Sequence, residues 1–305
     1  MEMSKQIILS TDPGIDDALA IILLIRLNVL HAIWTTMGNN TIENCTKNAM
    51  KILQMLGKKE IPIIKGAAQP LLRKADFSAE VHGEDGLGNT HLPVPNTSAF
   101  LWKNIDYIIS SIEKNPPKVS LVSIGPLTNL AILLQKAPSI VNSVKETIIM
   151  GGAVSVPGNV TPYAEFNIFC DPEAAKIVLN SGLPLTLVGL DVTHQVILTF
   201  EQMEAISAEK TVLSDFIIKI AHYYAKFHEG INGCYLHDPL AAAIVIDPKI
   251  ISTKKMHVDV IIGDPKEAGQ TFISENIQTP TISVAVSVNV KKFFDLFLRT
   301  LIINK

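Results

Sequence analysis

The sequence predicts an α/β fold whose open, mostly parallel central sheet is covered by helices on both faces, and two observations predict it. Five short β-rich runs are predominantly apolar and end in Gly, Asp or polar residues: IIL (7–9), PIIKG (62–66), VSLVSIG (119–125), TIIMGG (147–152) and LPLTLVGLD (183–191). Helix-like stretches alternate with them: DDALAIILLI, ENCTKNAMKILQML, FLWKNIDYIISSIEK, TNLAILLQK and PEAAKIVLNSG. Apolar strands need cover on both faces, and alternation with helices is typical of a parallel sheet.

The remaining third of the chain predicts a helical segment and a return to the sheet. Residues 193–232 are helical and polar in pattern, with aromatic side chains in AHYYAKFHEG, and we expect them to form a helical lid over the open edge of the sheet. A core helix (HDPLAAAIVID), a strand pair (HVDVIIG and TISVAVSV) and an amphipathic helix (KKFFDLFLRTLI) follow. No Gly/Ser/Pro-rich linker or repeat interrupts the chain, which favours a single domain over 1–305.

Composition and charge exclude several classes of protein. The chain has 305 residues with 48% hydrophobic and 18% charged side chains, which is ordinary for a globular protein. A net charge of -3 gives no basic surface for nucleic acid, so we expect no nucleic-acid partner. The run ALAIILLI ends at Arg26, well short of the roughly 18 residues that a membrane span needs, and no secretory pattern precedes it. We therefore expect a soluble cytoplasmic protein without a membrane partner.

An aspartate cluster lies where the first predicted strand meets the first helix. The stretch TDPGIDD (11–17) places Asp12, Asp16 and Asp17 on either side of a Pro-Gly turn. Acidic side chains in a first helical turn can cap free backbone N–H groups, and this interpretation explains one or two of the three. Three carboxylates repel one another unless a positive charge neutralises them, and Ca²⁺ or Mg²⁺ prefers oxygen ligands. Both a helix cap and a metal site are open at this point.

Other interpretations of the cluster fit less well. A phosphate-binding loop would need a GxGxxG or GxxxxGK[ST] pattern after the strand, and a receiver domain would be far shorter than this chain. A metal site needs further ligands, and His237-Asp238-Pro239 is the best distant candidate. Asp238 would add a fourth carboxylate and His237 a titratable group, although HDP alone is equally consistent with a helix cap.

Nine motifs in order resemble the nucleoside hydrolases of the inosine-uridine-preferring type: DPGIDDA, GNNTIE, HGEDGLG, GPLTNLA, MGGAV, GNVTPYAEFN, DPEAA, GLDVTH and HDPLA. The resemblance runs from about residue 7 to the C-terminal helix. It implies a Rossmann-like nucleoside hydrolase fold with Ca²⁺ at the bottom of the pocket. It also implies hydrolysis of the N-glycosidic bond of a small-molecule ribonucleoside, of the inosine, uridine or cytidine class, to ribose and free base. Family members commonly form a homodimer or homotetramer.

The resemblance also assigns the metal ligands and the acid-base residues. The ligands would be Asp12, Asp17, Asp238 and the backbone carbonyl of Ile124, completed by the ribose 2′- and 3′-hydroxyls and a water. Asp12 would take a proton from that metal-bound water, which is the nucleophile, and Asp16 would hold the 2′-hydroxyl. His237 matches the residue that donates a proton to the leaving base, and histidine is the usual donor near neutral pH.

Further positions match the substrate-binding residues of the family. Asn39, Asn159, Glu165 and Asn167 resemble its ribose-binding residues, Met150 is expected to line the same pocket, and His82 matches a base-pocket position. Without the resemblance, GN pairs are typical of turns. The lid aromatics Tyr223, Tyr224 and Phe227 are equally consistent with base contact or with helix packing, so the base preference is open.

One departure from the family pattern leaves alternatives to an active hydrolase. Ser10 stands where the family usually has Asp, which removes a carboxylate and favours weaker metal binding. A non-catalytic nucleoside or ribose binder on the same fold, or a hydrolase of a related riboside, would also fit.

The two tryptophans, Trp34 in a predicted strand and Trp102 in a predicted helix, are not clearly placed for stacking on a purine. Three scattered cysteines predict buried thiols rather than disulfides or a zinc site.

Overall fold

A ten-stranded sheet forms the centre of the molecule in the computed structural model, which describes residues 6–263, 265–276, 278 and 280–302. Ten strands form this sheet, in the spatial order β11-β10-β12-β7-β6-β5-β1-β2-β3-β4, and β8 and β9 form a separate antiparallel pair. The strands are β1 (Gln6–Thr11), β2 (Leu30–Thr35), β3 (Ile63–Lys65), β4 (Trp102–Lys103), β5 (Val119–Ser123), β6 (Glu146–Met150), β7 (Leu185–Val188), β8 (Ile197–Thr199), β9 (Gly233–Tyr235), β10 (Ile251–Val260), β11 (Thr271–Ile273) and β12 (Thr281–Val288).

The order of the strands creates a crevice beside β1. The chain starts at the centre, moves outward through β2, β3 and β4, and then returns to the other side of β1 as β5. All pairs from β12 to β4 are parallel, whereas β10 is antiparallel to both of its neighbours. In open α/β sheets, ligands bind outside the carboxyl ends of the strands where the order reverses. Here that position lies between the ends of β1 and β5.

Helices cover both faces of the sheet. They are α1 (Ile15–Arg26), α2 (Ile42–Met55), α3 (Ala79–His82), α4 (Ile105–Lys114), α5 (Thr128–Lys136), α6 (Phe166–Cys170), α7 (Pro172–Leu179), α8 (Leu190–Thr193), α9 (Phe200–Ser207), α10 (Val212–Ala225), α11 (His237–Ile244) and α12 (Val290–Ile302), with 3₁₀ turns at Thr97–Ala99, Pro138–Asn142 and Pro248–Ile250. Among the residues described, none of the helices combines the length and the hydropathy that crossing a bilayer requires.

The two faces of the sheet bury separate cores. Ile7 and Leu9 of β1 point toward one core and Ile8 toward the other, as the two-residue period of a strand requires. Helix α1 belongs to the first core and is buried at every position from Ile15 to Ile25, because its sequence is apolar on nearly all sides. It packs against α11, so the start of the chain meets residues from its last quarter. Helices α5 and α7 cover the second core.

The predicted α/β class and its five strands are confirmed, and the differences have local causes. Trp102 lies in β4, not in a helix, because Asn104 is the N-cap residue of α4 and the helix begins only at Ile105. Strand β10 begins at Ile251, six residues before the predicted run. The segment 193–232 contains α9 and α10 as expected, but it also contains β8, which pairs with β9 just beyond it.

Candidate active site

The aspartate cluster occupies the crevice at the carboxyl end of β1. Asp12 follows the strand directly, and Asp16 and Asp17 lie in the first turn of α1. The Asp17 carboxylate accepts hydrogen bonds from the hydroxyl of Thr11 (2.5 Å) and from the backbone N–H groups of Gly14 (3.0 Å) and Asp12 (3.3 Å). The helix-cap interpretation therefore accounts for Asp17, which closes the turn before α1. It leaves the other two acids to be explained.

Asp238, at the start of α11, joins the N-terminal acids. Carboxylate oxygens of Asp16, Asp17 and Asp238 all lie within 4.8 Å of one another, and all three residues are buried. The packing of α1 against α11 creates this proximity, because both acids at the start of α1 meet the first turn of α11. The cluster thus draws on two segments at opposite ends of the sequence.

Burial and mutual repulsion make the four carboxylates hard to ionise together. Burial is the largest cause, and it raises the pKa of Asp16 to about 8 and that of Asp17 above its ordinary value. The pKa values of Asp12 and Asp238 lie well above the ordinary range for the same reason, and the neighbouring carboxylates raise them further. None of the described residues that line the adjacent cavity is Lys or Arg. The site has a deficit of positive charge.

One oxygen of Asp12 has no protein partner. Its Oδ2 accepts a hydrogen bond from the backbone N–H of Asn39 (2.7 Å), whereas Oδ1 is buried and lacks a hydrogen-bond partner in the structure. Buried polar atoms are nearly always paired, so an orphan oxygen indicates a missing group. Gly38 and Gly125 flank this carboxylate so closely that a Cβ at either position would overlap it. Only glycine at these two positions leaves room for the Asp12 carboxylate.

Asn39 and His82 form one wall above the acids. The Asn39 amide donates to Asp17 Oδ2 (2.9 Å) and to the carbonyl of Asp12 (3.2 Å), and its Oδ1 accepts from the Ser78 hydroxyl (3.0 Å). His82 Nδ1 accepts the backbone N–H of Ile15 (3.0 Å). Burial lowers the pKa of His82 to about 3, so the imidazole is neutral and carries its hydrogen on Nε2.

Asn167 and Glu165, at the start of α6, form the opposite wall. Asn167 Nδ2 donates to the backbone carbonyls of Ile124 and Met150, at 3.2 Å each. The Glu165 carboxylate is the N-cap of α6 and accepts from the N–H groups of Gly152 (2.9 Å), Asn167 (2.9 Å) and Ile168 (3.2 Å). These bonds connect the ends of β5 and β6 to α6.

His237 lies beside Asp238 at the rim of the acid cluster. Its Nδ1 is 2.8 Å from the Thr193 hydroxyl, and burial places its pKa well below the ordinary value. Of the three lid aromatics, Tyr224 lines the cavity, where its ring packs against His82 at 5.4 Å between centroids. The ring of Tyr223 instead packs at a tilt of 41° against that of Phe227, with 5.7 Å between centroids, and Phe227 is 44% exposed.

A single cavity gathers nearly all of the residues expected from the sequence. Its lining comprises Asp16, Asn39, Ser78, Val81, His82, Ile124, Met150, Asn159, Val160, Glu165, Phe166, Asn167, Tyr224, His237 and Asp238. Asp12 and Asp17 are expected site residues outside this lining, and both are fully buried beneath it. Sequence reasoning missed Ser78, Val81, Val160 and Phe166. The last two lie within the motif GNVTPYAEFN, which was the signal available to find them.

Ser10 does not face the acid cluster. Its hydroxyl accepts a hydrogen bond from Asn129 Nδ2 (3.2 Å) on α5, which covers the other face of the sheet from α1. The same amide donates to the carbonyl of Thr35 (3.1 Å), and its oxygen accepts from the N–H of Ala67 (2.9 Å). Ser10 therefore belongs to a neutral network that joins β1, β2 and α5.

Comparisons with known proteins agree on one family. A family model described as inosine-uridine preferring nucleoside hydrolase matches residues 7–295. The chain is 36% identical to an inosine-uridine preferring nucleoside hydrolase of Leishmania major, over 98% of each chain. It is 34% identical to the pyrimidine-specific ribonucleoside hydrolase RihA of Shewanella woodyi, again over 98% of each. The solved structure of a purine-preferring ribonucleoside hydrolase from Gardnerella vaginalis superimposes with a TM-score of 0.91 at 33% identity, covering 97% of this chain and 98% of that one.

Proposed function

Because the chain belongs to the inosine-uridine preferring nucleoside hydrolase family and is a ribonucleoside hydrolase, we propose that it works with Ca²⁺ and uses Asp12 as general base. The observation that carries the proposal is the cluster of three buried carboxylates, Asp16, Asp17 and Asp238, at the floor of the cavity, next to Asp12 with its unpartnered oxygen. The donor set contains oxygen atoms without thiolate, which suits a hard cation. The residues present therefore fit the ion.

Asp12, Asp17, Asp238 and the carbonyl of Ile124 would hold the cation. Ile124 already accepts from Asn167, but a carbonyl oxygen has a second lone pair that is free for a metal. Asp16 belongs to the tightest acid cluster and also faces the cavity, which supports its assignment to the ribose 2′-hydroxyl. A bound Ca²⁺ supplies positive charge that favours ionised carboxylates, and it orients the ribose diol and a water.

Asp12 and His237 are assigned to the reaction of the water and the departure of the base. Asp12, once ionised, accepts the proton of the attacking water. His237 is neutral, and in the tautomer whose Nδ1 accepts the Thr193 hydroxyl hydrogen, its Nε2–H donates a hydrogen bond that stabilises the departing base, which then takes its proton from solvent. Breaking the N-glycosidic bond leaves positive charge on the ribose ring, and carboxylate oxygens beneath the ring stabilise it.

The two walls of the cavity are assigned to substrate binding. We assign Asn39, Asn159, Glu165, Asn167 and Met150 to the ribose, and His82 to the base. Their side chains are fixed by the protein itself, as in the three backbone N–H groups that hold Glu165. Such preorganisation lowers the entropic cost of holding a substrate. Helices α9 and α10 act as the lid of a single domain spanning 1–305, and the Tyr224 ring that reaches the cavity supports this role.

A ribose-release panel tests the proposal. The protein with Ca²⁺ is expected to release ribose from at least one purine or pyrimidine ribonucleoside, whereas the matching 2′-deoxyribonucleoside is expected to give no turnover because it lacks half of the diol. Each pair shares its base, so the deoxy compound is the control for base recognition. Equal rates with both compounds would contradict metal binding by the diol. Tight binding of a nucleoside without release of sugar would contradict the hydrolytic mechanism.

A further inference from the structure

Residues 74–82, which we call the flap, place three side chains at the cavity. Ser78, Val81 and His82 line it. Ser78 donates to Asn39, in the loop between β2 and α2, and His82 accepts from the backbone of Ile15 at the start of α1, so the flap touches both segments that surround the acids. The motif DPEAA (171–175), by contrast, has no part in the chemistry assigned above. The structure connects it to the flap.

The N-terminal end of the flap is tied to the start of α7. Arg73, the residue before the flap, donates to both oxygens of Glu173, with its Nε at 3.1 and 2.9 Å and its Nη2 at 2.8 Å from Oε1. The same Nη2 donates to the carbonyl of Ile262 (2.8 Å). The N–H of Leu71 donates to Asp171 Oδ2 (2.8 Å), which also accepts the Thr128 hydroxyl (2.6 Å). Bidentate ion pairs of this kind fix geometry as well as energy.

The C-terminal end is fixed independently by α2 and the loop before it. Asn48 Nδ2 donates to the carbonyls of Asp85 (2.8 Å) and Pro13 (3.1 Å), and Asn40 Nδ2 donates to the carbonyl of Glu84 (3.3 Å). Gly83 turns the chain between this anchor and the flap with φ of +83°, a conformation that other residues rarely adopt. The flap is therefore a span between two anchored ends.

Apolar packing at the N-terminal end stops before the flap. Pro70 is buried and Leu71 packs against the second core, whereas Leu72 is 80% exposed and Phe77 is 39% exposed, so the ion pair of Arg73 is the last anchor before the flap begins. Glu173 lies in α7, which follows α6 after a single residue, and α6 begins with the cavity residues Phe166 and Asn167. The ion pair between Arg73 and Glu173 therefore connects the flap to the wall of the cavity that α6 forms.

We propose that Arg73 and Glu173 are positioning residues that latch the flap over the cavity and so set the affinity for the nucleoside. This role rests on the proposed function of the cavity. An affinity measured for a protein whose binding-competent form is partly populated falls in proportion to that population. Breaking the latch lowers the population of the closed flap, whereas a saturating substrate restores it. Breaking the latch is therefore expected to raise KM and to leave kcat nearly unchanged.

Three variants and one matched control test the latch. Arg73→Met, Glu173→Gln and the double variant are assayed for ribose release, and hydrogen exchange of the flap is followed in the substrate-free protein. The control is Lys176→Met, which removes the 3.0 Å ion pair of Lys176 with Asp259 from the same helix without touching the flap. Each latch variant is expected to raise KM about fivefold, the scale of a partly exposed ion pair. The double variant is expected to match the larger single effect, because both residues act through one contact.

The outcomes separate the latch from the proposed function. Faster exchange in residues 74–82 of the latch variants, with Lys176→Met unchanged, supports the latch. An unchanged KM together with unchanged flap exchange would overturn it, and so would an equal rise in KM and in flap exchange in Lys176→Met. If the wild-type protein releases no ribose, the proposed function fails, and the exchange measurement still decides whether Arg73 and Glu173 hold the flap.

Discussion

Carboxylate oxygens of Asp17 and Asp238 lie within 4.8 Å of each other, although Asp17 is near the start of the chain and Asp238 is in its last quarter. Both are buried, and Asp16 lies beside them. Two buried carboxylates this close cannot both be charged unless something between them is positive, so they must share a proton or a cation. The choice between these two determines how the protein responds to pH and to chelation.

Metal-free protein is expected to lose stability as the pH rises from 6.5 to 8. The acid cluster keeps protons in the folded state that the unfolded chain has already lost above the ordinary Asp pKa of 3.8, and the pKa of Asp16 is about 8. The folded state therefore binds more protons than the unfolded state in this range, and the free energy of unfolding falls with pH. Thermal unfolding after exhaustive chelation would measure this slope.

The buried histidines set the lower limit of the pH range for this test. The pKa values of His82 and His237 are lowered from 6.5 by burial, so they destabilise the folded state only as the pH falls below that value. With Ca²⁺ present, the slope between pH 6.5 and 8 is expected to flatten or reverse, because metal binding requires ionised ligands and strengthens as protons leave. The same slope with and without Ca²⁺ would contradict a metal site among these acids.

Gly125→Ala is expected to disable the site by displacing Asp12. A Cβ at this position would overlap the Asp12 carboxylate, and Gly125 lacks the left-handed backbone that would penalise alanine by itself. Misplacing a reacting group by about 1 Å can cost about 100-fold in rate, and we expect a loss of that order in kcat/KM together with weaker Ca²⁺ binding. Gly263→Ala, where the added methyl group would meet open space, is the matched control. Equal activities of the two variants would refute the steric argument.

The sequence predicted the parts of the fold that depend on local pattern. Each of the five predicted strands could be recognised because its sequence is predominantly apolar and β-rich, as in β5, whose residues are all buried. Strand β4 could not be predicted from its sequence, because it consists of two exposed residues. Its pairing with β3 depends on the rest of the sheet. The N-terminal acid cluster could likewise be predicted from TDPGIDD. The proximity of Asp238 to these acids, by contrast, follows from the packing of α1 against α11.

The lid aromatics show why part of the cavity escaped prediction. Tyr223 and Tyr224 are neighbours in α10, and consecutive helical residues point in directions about 100° apart. Only Tyr224 faces the cavity. With two tyrosines in succession, composition gives no means of choosing between them. The same applies to Ser78, whose place at the cavity follows from its hydrogen bond to Asn39, 39 residues away in sequence.

Glu165→Gln is expected to destabilise the protein although it is nearly isosteric. Both carboxylate oxygens accept backbone N–H groups, so an amide would turn an NH₂ donor toward at least one other donor. Leaving a buried donor unsatisfied costs about 1–3 kcal/mol of unfolding free energy. Urea denaturation measures the change. Glu204→Gln, on the exposed side of α9, is the control and is expected to be neutral. If Glu165→Gln were as stable as the wild type, the capping role would be refuted.

Asp12→Asn separates the two roles proposed for Asp12. The amide keeps an oxygen that can bind a cation but cannot accept a proton from water, and general base catalysis contributes about 10²- to 10⁴-fold. We expect kcat to fall by that factor and to stay low at saturating Ca²⁺. Asp238→Asn, which changes a proposed ligand without changing the base, is expected to recover most of its rate as Ca²⁺ is raised, because its defect lies in metal affinity. A Ca²⁺ titration of kcat for both variants makes the comparison. Recovery of Asp12→Asn to the same extent would reduce Asp12 to a ligand and transfer the role of base to another group.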